Sequence, residues 1–216
     1  MTDFAAARET LYANAAKGMG TRINTTDFPA PTDICEHLSL LREMASKCDH
    51  VTEMGSRWMN GSTIALLAAQ PKTLVCWDID PTSILSDRAA LLYNLRGETN
   101  FQPRVGSTLE VEIEETDFLF IDTLHTYAHL RAELCRHGMN DQRVSKVRRY
   151  IAFHDTTTFG LQGEDGSEPG LRRAVLEFQK EQAFPLWKCI IDRSNNNGLV
   201  VLANIRVPDS EFAGLK

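Results

Sequence analysis

In the stretch Asp117-Phe-Leu-Phe-Ile121 every residue after the first is apolar, with no polar alternation, and the run is closed abruptly by Asp122. A strand can be apolar on both sides only if both faces are covered, which is the situation of a central strand in a parallel sheet. A second such run, Tyr150-Ile-Ala-Phe153, ends just as abruptly in His154-Asp155. Two strands of this kind in one chain of 216 residues commit the sequence to a layered α/β architecture.

The rest of the pattern agrees. Strand-like segments at 50–54, 73–79, 101–105, 117–121 and 147–153 alternate with helix-like segments at 62–69, 84–95, 127–137 and 170–182. Two further strands, 186–191 and 199–205, close the chain. The expectation is a doubly wound, mainly parallel seven-stranded sheet with helices on both faces, a Rossmann-like single domain over 1–216. Residues 1–47 read as an N-terminal helical flank. One helix covers 4–17 and ends at Gly18 and Gly20. A second is capped by Thr32 or Asp33, after an extended connection at 28–31. These helices offer a surface for packing between subunits, so a homo-oligomer is open.

Composition excludes several partners. The net charge is -6 and the one basic cluster, Lys146-Val-Arg-Arg149, runs straight into a strand, so no nucleic-acid partner is expected. No apolar stretch approaches the length that spans a bilayer. Met1-Thr2-Asp3-Phe4 lacks a secretory leader pattern, and the five cysteines contain no Cys-x-x-Cys pair. A cytoplasmic, reducing setting is expected, with Cys76 and Cys189 as buried thiols.

In an open α/β sheet, ligands bind at the carboxyl ends of the strands. The first strand ends in Glu53-Met-Gly55-Ser56-Arg-Trp-Met-Asn-Gly61-Ser62. Its glycines suit close backbone approach to a nucleotide-like ligand, or simply a strand-to-helix turn. The spacing is not the dinucleotide Gly-x-Gly-x-x-Gly. The second strand ends in Asp78-Ile-Asp80-Pro81, where Asp78 is placed to accept from ribose hydroxyls and Asp80 to cap the next helix. The plainer reading gives both carboxylates to capping.

The reacting end is read from two strings. Asp122-Thr-Leu-His125 puts a carboxylate and a titratable base in one short loop, and His154-Asp155 supplies two further metal-competent groups. If their strands are neighbours, all four converge. Carboxylates suit Mg²⁺ or Mn²⁺, and imidazole widens the choice of divalent cation. Against these stand a structural role for His125 and a packing role for His154, its ring on a backbone carbonyl. Residues 156–169, rich in glycine and acids, read equally as a mobile loop over the site or as ordinary surface. Asn195-Asn-Asn-Gly198 reads as a hairpin turn.

Taken in order, these strings resemble the S-adenosylmethionine-dependent methyltransferases of the Rossmann-like fold, in the cephalosporin-hydroxylase-like and sugar O-methyltransferase-like group. The resemblance runs from about Cys48 to Leu202 and also takes in Gly106-Ser107, Gly170-Leu-Arg-Arg-Ala174 and Asn197-Gly-Leu199. It implies that Glu53 and Gly55 lie against the methionine end of S-adenosylmethionine, with Ser56, Gly61 and Ser62 also binding the cofactor. Asp78 would hold its ribose, Ser107 would lie by the adenine, and Asp122 would border both cofactor and metal. It further implies a divalent cation on Asp122, His154 and Asp155, with His125 as the base, acting on a hydroxyl of a small molecule or carbohydrate. Two departures mark this sequence. The loop from Gly55 to Gly61 is long and carries Arg57 and Trp58, and His154 stands where relatives tend to carry a carboxylate. The rival functions are a metal-dependent oxygenase or hydrolase built on Asp122, His125, His154 and Asp155, a nicotinamide oxidoreductase, and a catalytically silent binding module.

Overall fold

The computed structural model describes residues 3–139, 144–182, 185–212 and 214–215. The first two residues of the segment read for a leader lie outside them. The strands form a small two-stranded sheet and a mixed seven-stranded sheet, the latter in the order β5-β4-β3-β6-β7-β9-β8. The chain divides into two compact units, Met1–Thr108 and Leu109–Lys216.

The first unit opens with α1 (Phe4–Ala15), capped by the Asp3 carboxylate. A hairpin the sequence reading did not foresee follows, β1 (Thr21–Ile23) and β2 (Thr26–Phe28). It is hard to see in sequence because each strand is three residues long and only Phe28 is buried. Next comes α2 (Leu38–Ala45), entered through a single tight turn, Cys35–His37. The helix therefore starts later than expected and has neither Thr32 nor Asp33 as its cap. Then come β3 (His50–Met54), α3 (Ser62–Ala68), β4 (Thr73–Asp78), α4 (Pro81–Ile84), α5 (Asp87–Leu95) and β5 (Asn100–Val105). The helix expected over 84–95 is two helices, because Ser86 leaves the helical conformation and caps the second through Ala89 N–H. β3 pairs parallel with β4, and β4 with β5.

The second unit holds β6 (Thr116–Ile121), α6 (Tyr127–Glu133), β7 (Val147–His154), α7 (Leu171–Glu177), β8 (Trp187–Arg193) and β9 (Leu199–Asn204). α6 and α7 each continue as a wider helical segment, Leu134–Gly138 and Phe178–Gln182, so the helical stretches match the expected 127–137 and 170–182 to within one residue. β6 and β7 are parallel, while β9 runs antiparallel to both β7 and β8. All six residues of β6 and all six of β9 are buried, as a strand apolar on both sides requires. Phe118 and Tyr150 meet edge to face at 6.2 Å in this core. β8 is buried only at Trp187 and Ile191, its register against β9 shifts between Cys189 and Ile191, and Cys189 is exposed, which corrects its reading as a buried thiol. Among the described residues no helix is long and apolar enough to cross a membrane.

Candidate active site

The strand tips of the first unit form one candidate surface. After β3 the backbone turns at Gly55, whose φ of 84° is left-handed and favours glycine. The N–H groups of Gly55 and Ser56 donate to the Trp77 carbonyl at 2.9 and 3.3 Å, fixing the loop against the end of β4. Trp58 and Met59 also adopt positive φ, 59° and 51°, a strained pair that the long loop requires. Trp58 stays half exposed, its N–H held by Ser83 Oγ at 3.2 Å and its ring lying under the Arg57 guanidinium. Arg57 in turn pairs with Asp33. Gly61 also has a positive φ, 39°, and a second reason to be glycine: a Cβ there would come within 3.0 Å of Ile34 and 3.2 Å of Pro31. Backbone conformation and packing against the N-terminal segment thus both favour glycine there.

Glu53 is fully buried, and its Oε2 accepts from Thr63 Oγ1 of α3 at 2.7 Å. Burial, with the Glu53 charge beside it, pushes the Cys76 thiol well above its ordinary range. Ser56 and Ser62 are buried as well, and the Ser56 hydroxyl finds no hydrogen-bond partner among the described residues. Asp78 closes β4, 8% exposed. Its Oδ1 accepts from Asp80 N–H at 2.8 Å, and no other hydrogen bond to its carboxylate is formed among the described residues. Oδ2 therefore remains an acceptor for a ligand hydroxyl. Asp80 caps α4 through Thr82 N–H, as the sequence suggested. Gly106 N–H donates to the Asp78 carbonyl at 2.9 Å, which brings the half-buried Ser107 alongside.

In the second unit the two polar strings do meet. His125 Nε2 lies 2.9 Å from Asp155 Oδ2 and 3.3 Å from Asp122 Oδ1. His154 Nδ1 lies 3.4 Å from Asp122 Oδ2 and 3.3 Å from Asp155 Oδ2. His154 Nε2 is 3.0 Å from the Asn196 carbonyl, which can only accept, so Nε2 carries the hydrogen. The packing role weighed for His154 is thus present, and it aims Nδ1 at the two carboxylates.

Electrostatics follow from this crowding. Burial alone would lower His125, but hydrogen bonds with Asp122 and Asp155, and the charges around it, raise it to about 10. His154 is raised to about 10 for the same reasons. Burial works to raise Asp122 and Asp155 too, yet the two imidazoles hold both below the usual carboxylate range. Asp155 is held at φ 59°, a left-handed backbone that costs a non-glycine residue about 1–3 kcal/mol.

The donor set fits a divalent cation. One ligand atom each from Asp122, His154 and Asp155 lie within 4.8 Å of one another. Asp155 Oδ1 is buried and meets no hydrogen-bond donor among the described residues. A small pocket walled by Ile121, Leu130, Phe153 and Leu171 opens beside Asp122 and His125.

Three contributors escaped the sequence reading. Glu164 Oε2 lies 2.8 Å from His125 Nδ1, and Glu164 N–H donates to the His125 carbonyl. Phe159 stacks on the imidazole at 4.8 Å. Asn196 fixes the His154 ring through its main chain, from a turn read correctly as a hairpin but given no part in the site. The only sequence signal for Glu164 was an acid-rich loop, and 39 residues separate it from its partner. Residues 156–169 are tied to the site through Glu164 and to α7 by Leu171 N–H donating to the Phe159 carbonyl.

No family model matches the chain, and no curated protein matches it in sequence. Solved structures do match. An O-methyltransferase from Bacillus cereus, in complex with S-adenosylhomocysteine (SAH), has TM-score 0.55 at 16% identity, covering 94% of this chain and 91% of that one. The N-terminal domain of EvdMO1, crystallised in the presence of SAH and D-fucose, has TM-score 0.53 at 12% identity, with 94% and 99% covered. The N-methyltransferase NodS from Bradyrhizobium japonicum has TM-score 0.53 at 16% identity, with 81% and 97% covered. The fold is that of the Rossmann-like methyltransferases.

Proposed function

We propose that this chain, on the premise of its methyltransferase fold, is an S-adenosylmethionine-dependent O-methyltransferase acting on a hydroxyl of a small molecule or sugar. The observation that carries the reading is Asp78, a nearly buried carboxylate at the tip of β4 with Oδ2 left to accept from a ribose hydroxyl. Gly55, Ser56 and Ser62 supply the close backbone and hydroxyl lining expected of the methionine end. Ser107 lies beside Asp78, where the reading puts the adenine. Glu53 acts from within the wall, through Thr63 and the electrostatics of the loop.

The acceptor oxygen attacks the methyl carbon, the sulfur–carbon bond breaks, and its electron pair stays on sulfur. The hydroxyl proton goes to His125, which Glu164 and Phe159 hold in place. Asp122, His154 and Asp155 would hold a divalent cation. When bound, the cation would lower the pKa of a coordinated hydroxyl and offset the carboxylate charge that raises His125. A sugar-like acceptor is supported by the fucose in the EvdMO1 crystals, and the N-methylating neighbour shows that the fold alone does not choose the acceptor atom. The neighbours lend no support to an oxygenase or hydrolase built on the same cluster.

Incubation with methyl-tritiated S-adenosylmethionine and a panel of sugar and phenolic hydroxyl compounds tests the reading. Label should pass to at least one acceptor, and transfer to amines alone would overturn the choice of oxygen. Asp78→Asn should weaken SAH binding about 10- to 100-fold, since a charge-assisted hydrogen bond is worth about 1.5–3 kcal/mol. Equilibrium dialysis measures this, and unchanged affinity would remove Asp78 from the cofactor site.

A further inference from the structure

We infer that the Asp122, His154 and Asp155 cluster is built for a divalent d-block cation and discriminates against Mg²⁺, with His154 Nδ1 as the selecting ligand. The starting observation is the orientation of His154. Its ring is 2% exposed, and Nε2 donates to the Asn196 carbonyl, so the nitrogen facing Asp122 and Asp155 is Nδ1. The orientation is built by the fold. β9 runs antiparallel to β7 with Leu199 opposite His154, which sets the preceding turn against the ring. Asn196, Asn197 and Gly198 are all left-handed there, and the Asn197 carbonyl accepts from Thr157 and Thr158 N–H. The turn that carries the Asn196 carbonyl is thereby anchored.

An imidazole whose outer nitrogen donates to a carbonyl is the arrangement that orients and strengthens a histidine ligand. Imidazole nitrogen favours Mn²⁺, Fe²⁺, Co²⁺ or Zn²⁺, whereas Mg²⁺ demands oxygen donors and retains its waters. The two carboxylates supply the charge, and buried Asp155 Oδ1 supplies an acceptor that no described donor satisfies. His125 does not share the role. Its Nε2 contacts the same carboxylates, but the group of mutually close ligand atoms is Asp122, His154 and Asp155.

The inference rests on the cation reading above and goes beyond it by naming the class of ion. The full-length chain, stripped with chelator, is titrated separately with Co²⁺ and Mg²⁺ by calorimetry, and the electron spin-echo spectrum of bound Mn²⁺ is recorded. Co²⁺ should bind at least about 100-fold more tightly than Mg²⁺, and the Mn²⁺ spectrum should show coupling to a directly bound nitrogen. In His154→Asp the preference should fall at least about tenfold and the coupling should vanish, while His125→Gln keeps it. Mg²⁺ binding as tight as Co²⁺, or a Mn²⁺ spectrum without nitrogen, would overturn the choice of ion yet leave cation-assisted transfer standing. Absence of binding by every cation would overturn both. Should His154→Asp fail to fold, the wild-type spectrum decides alone.

Discussion

His125→Gln is expected to lower methyl transfer by about 10²- to 10⁴-fold while S-adenosylmethionine affinity stays within about twofold. Glutamine keeps much of the side-chain length and its hydrogen-bonding capacity, so the loop that carries Glu164 has no reason to move. What it removes is the imidazole that can receive a proton and is not itself assigned to the cation. Asp122 and Asp155 are held below the usual carboxylate range and make poor bases. On the proposed reading the effect belongs to kcat, because His125 would act on the acceptor's proton in the transition state and is not among the residues assigned to the cofactor. Initial rates at saturating S-adenosylmethionine, paired with dialysis for affinity, separate the two quantities. A loss in affinity equal to the loss in rate would make His125 part of the cofactor site.

The second large effect is on stability. Gly198→Ala should destabilise the chain by about 2–6 kcal/mol, from left-handed strain of about 1–3 kcal/mol and overpacking of similar size. The φ of Gly198 is 96°, and an added Cβ would lie 2.5 Å from the Thr157 main-chain nitrogen and 2.4 Å from its hydroxyl. Relief would have to come from backbone, because Thr157 N–H is itself bonded to the Asn197 carbonyl. Thermal unfolding should shift down by about 10 °C for a chain of this size. Gly166→Ala is the control: its φ is also positive, at 80°, but nothing lies within 4 Å of an added Cβ. It should cost only the strain. Equal shifts for the two variants would show that the contact with Thr157 carries no energy. Because the same turn holds His154, Gly198→Ala should also weaken Co²⁺ binding.

How far the sequence foretold this depends on the length of the signal. β6 and β9 were located to within one residue at either end because they are apolar runs flanked by polar breaks, whereas β3, with only Val51 and Met54 apolar, was located to the residue by the glycine-containing loop and apolar helix that follow it. The β1–β2 hairpin was invisible for the opposite reason, since three-residue strands carry too few buried positions to show a period. Asp122, His125, His154 and Asp155 were legible because each lies within a few residues of the tip of a strand the sequence makes unmistakable. Glu164 and Asn196 were not, as each reaches its histidine across about 40 residues of chain, and one of them does so with a main-chain carbonyl that has no side-chain signature. Gly61 shows the converse. It reads as part of a ligand loop, and the structure gives its missing side chain to Ile34 and Pro31.

Cofactor capture is the hinge of the account, and calorimetric titration of the wild-type chain with S-adenosylmethionine addresses it without any knowledge of the acceptor. Saturable heat at one molecule per chain is the predicted result, with SAH competing for the same place. A flat titration with ligand at about 1 mM, where even a binding free energy of about -4 kcal/mol would register, contradicts it.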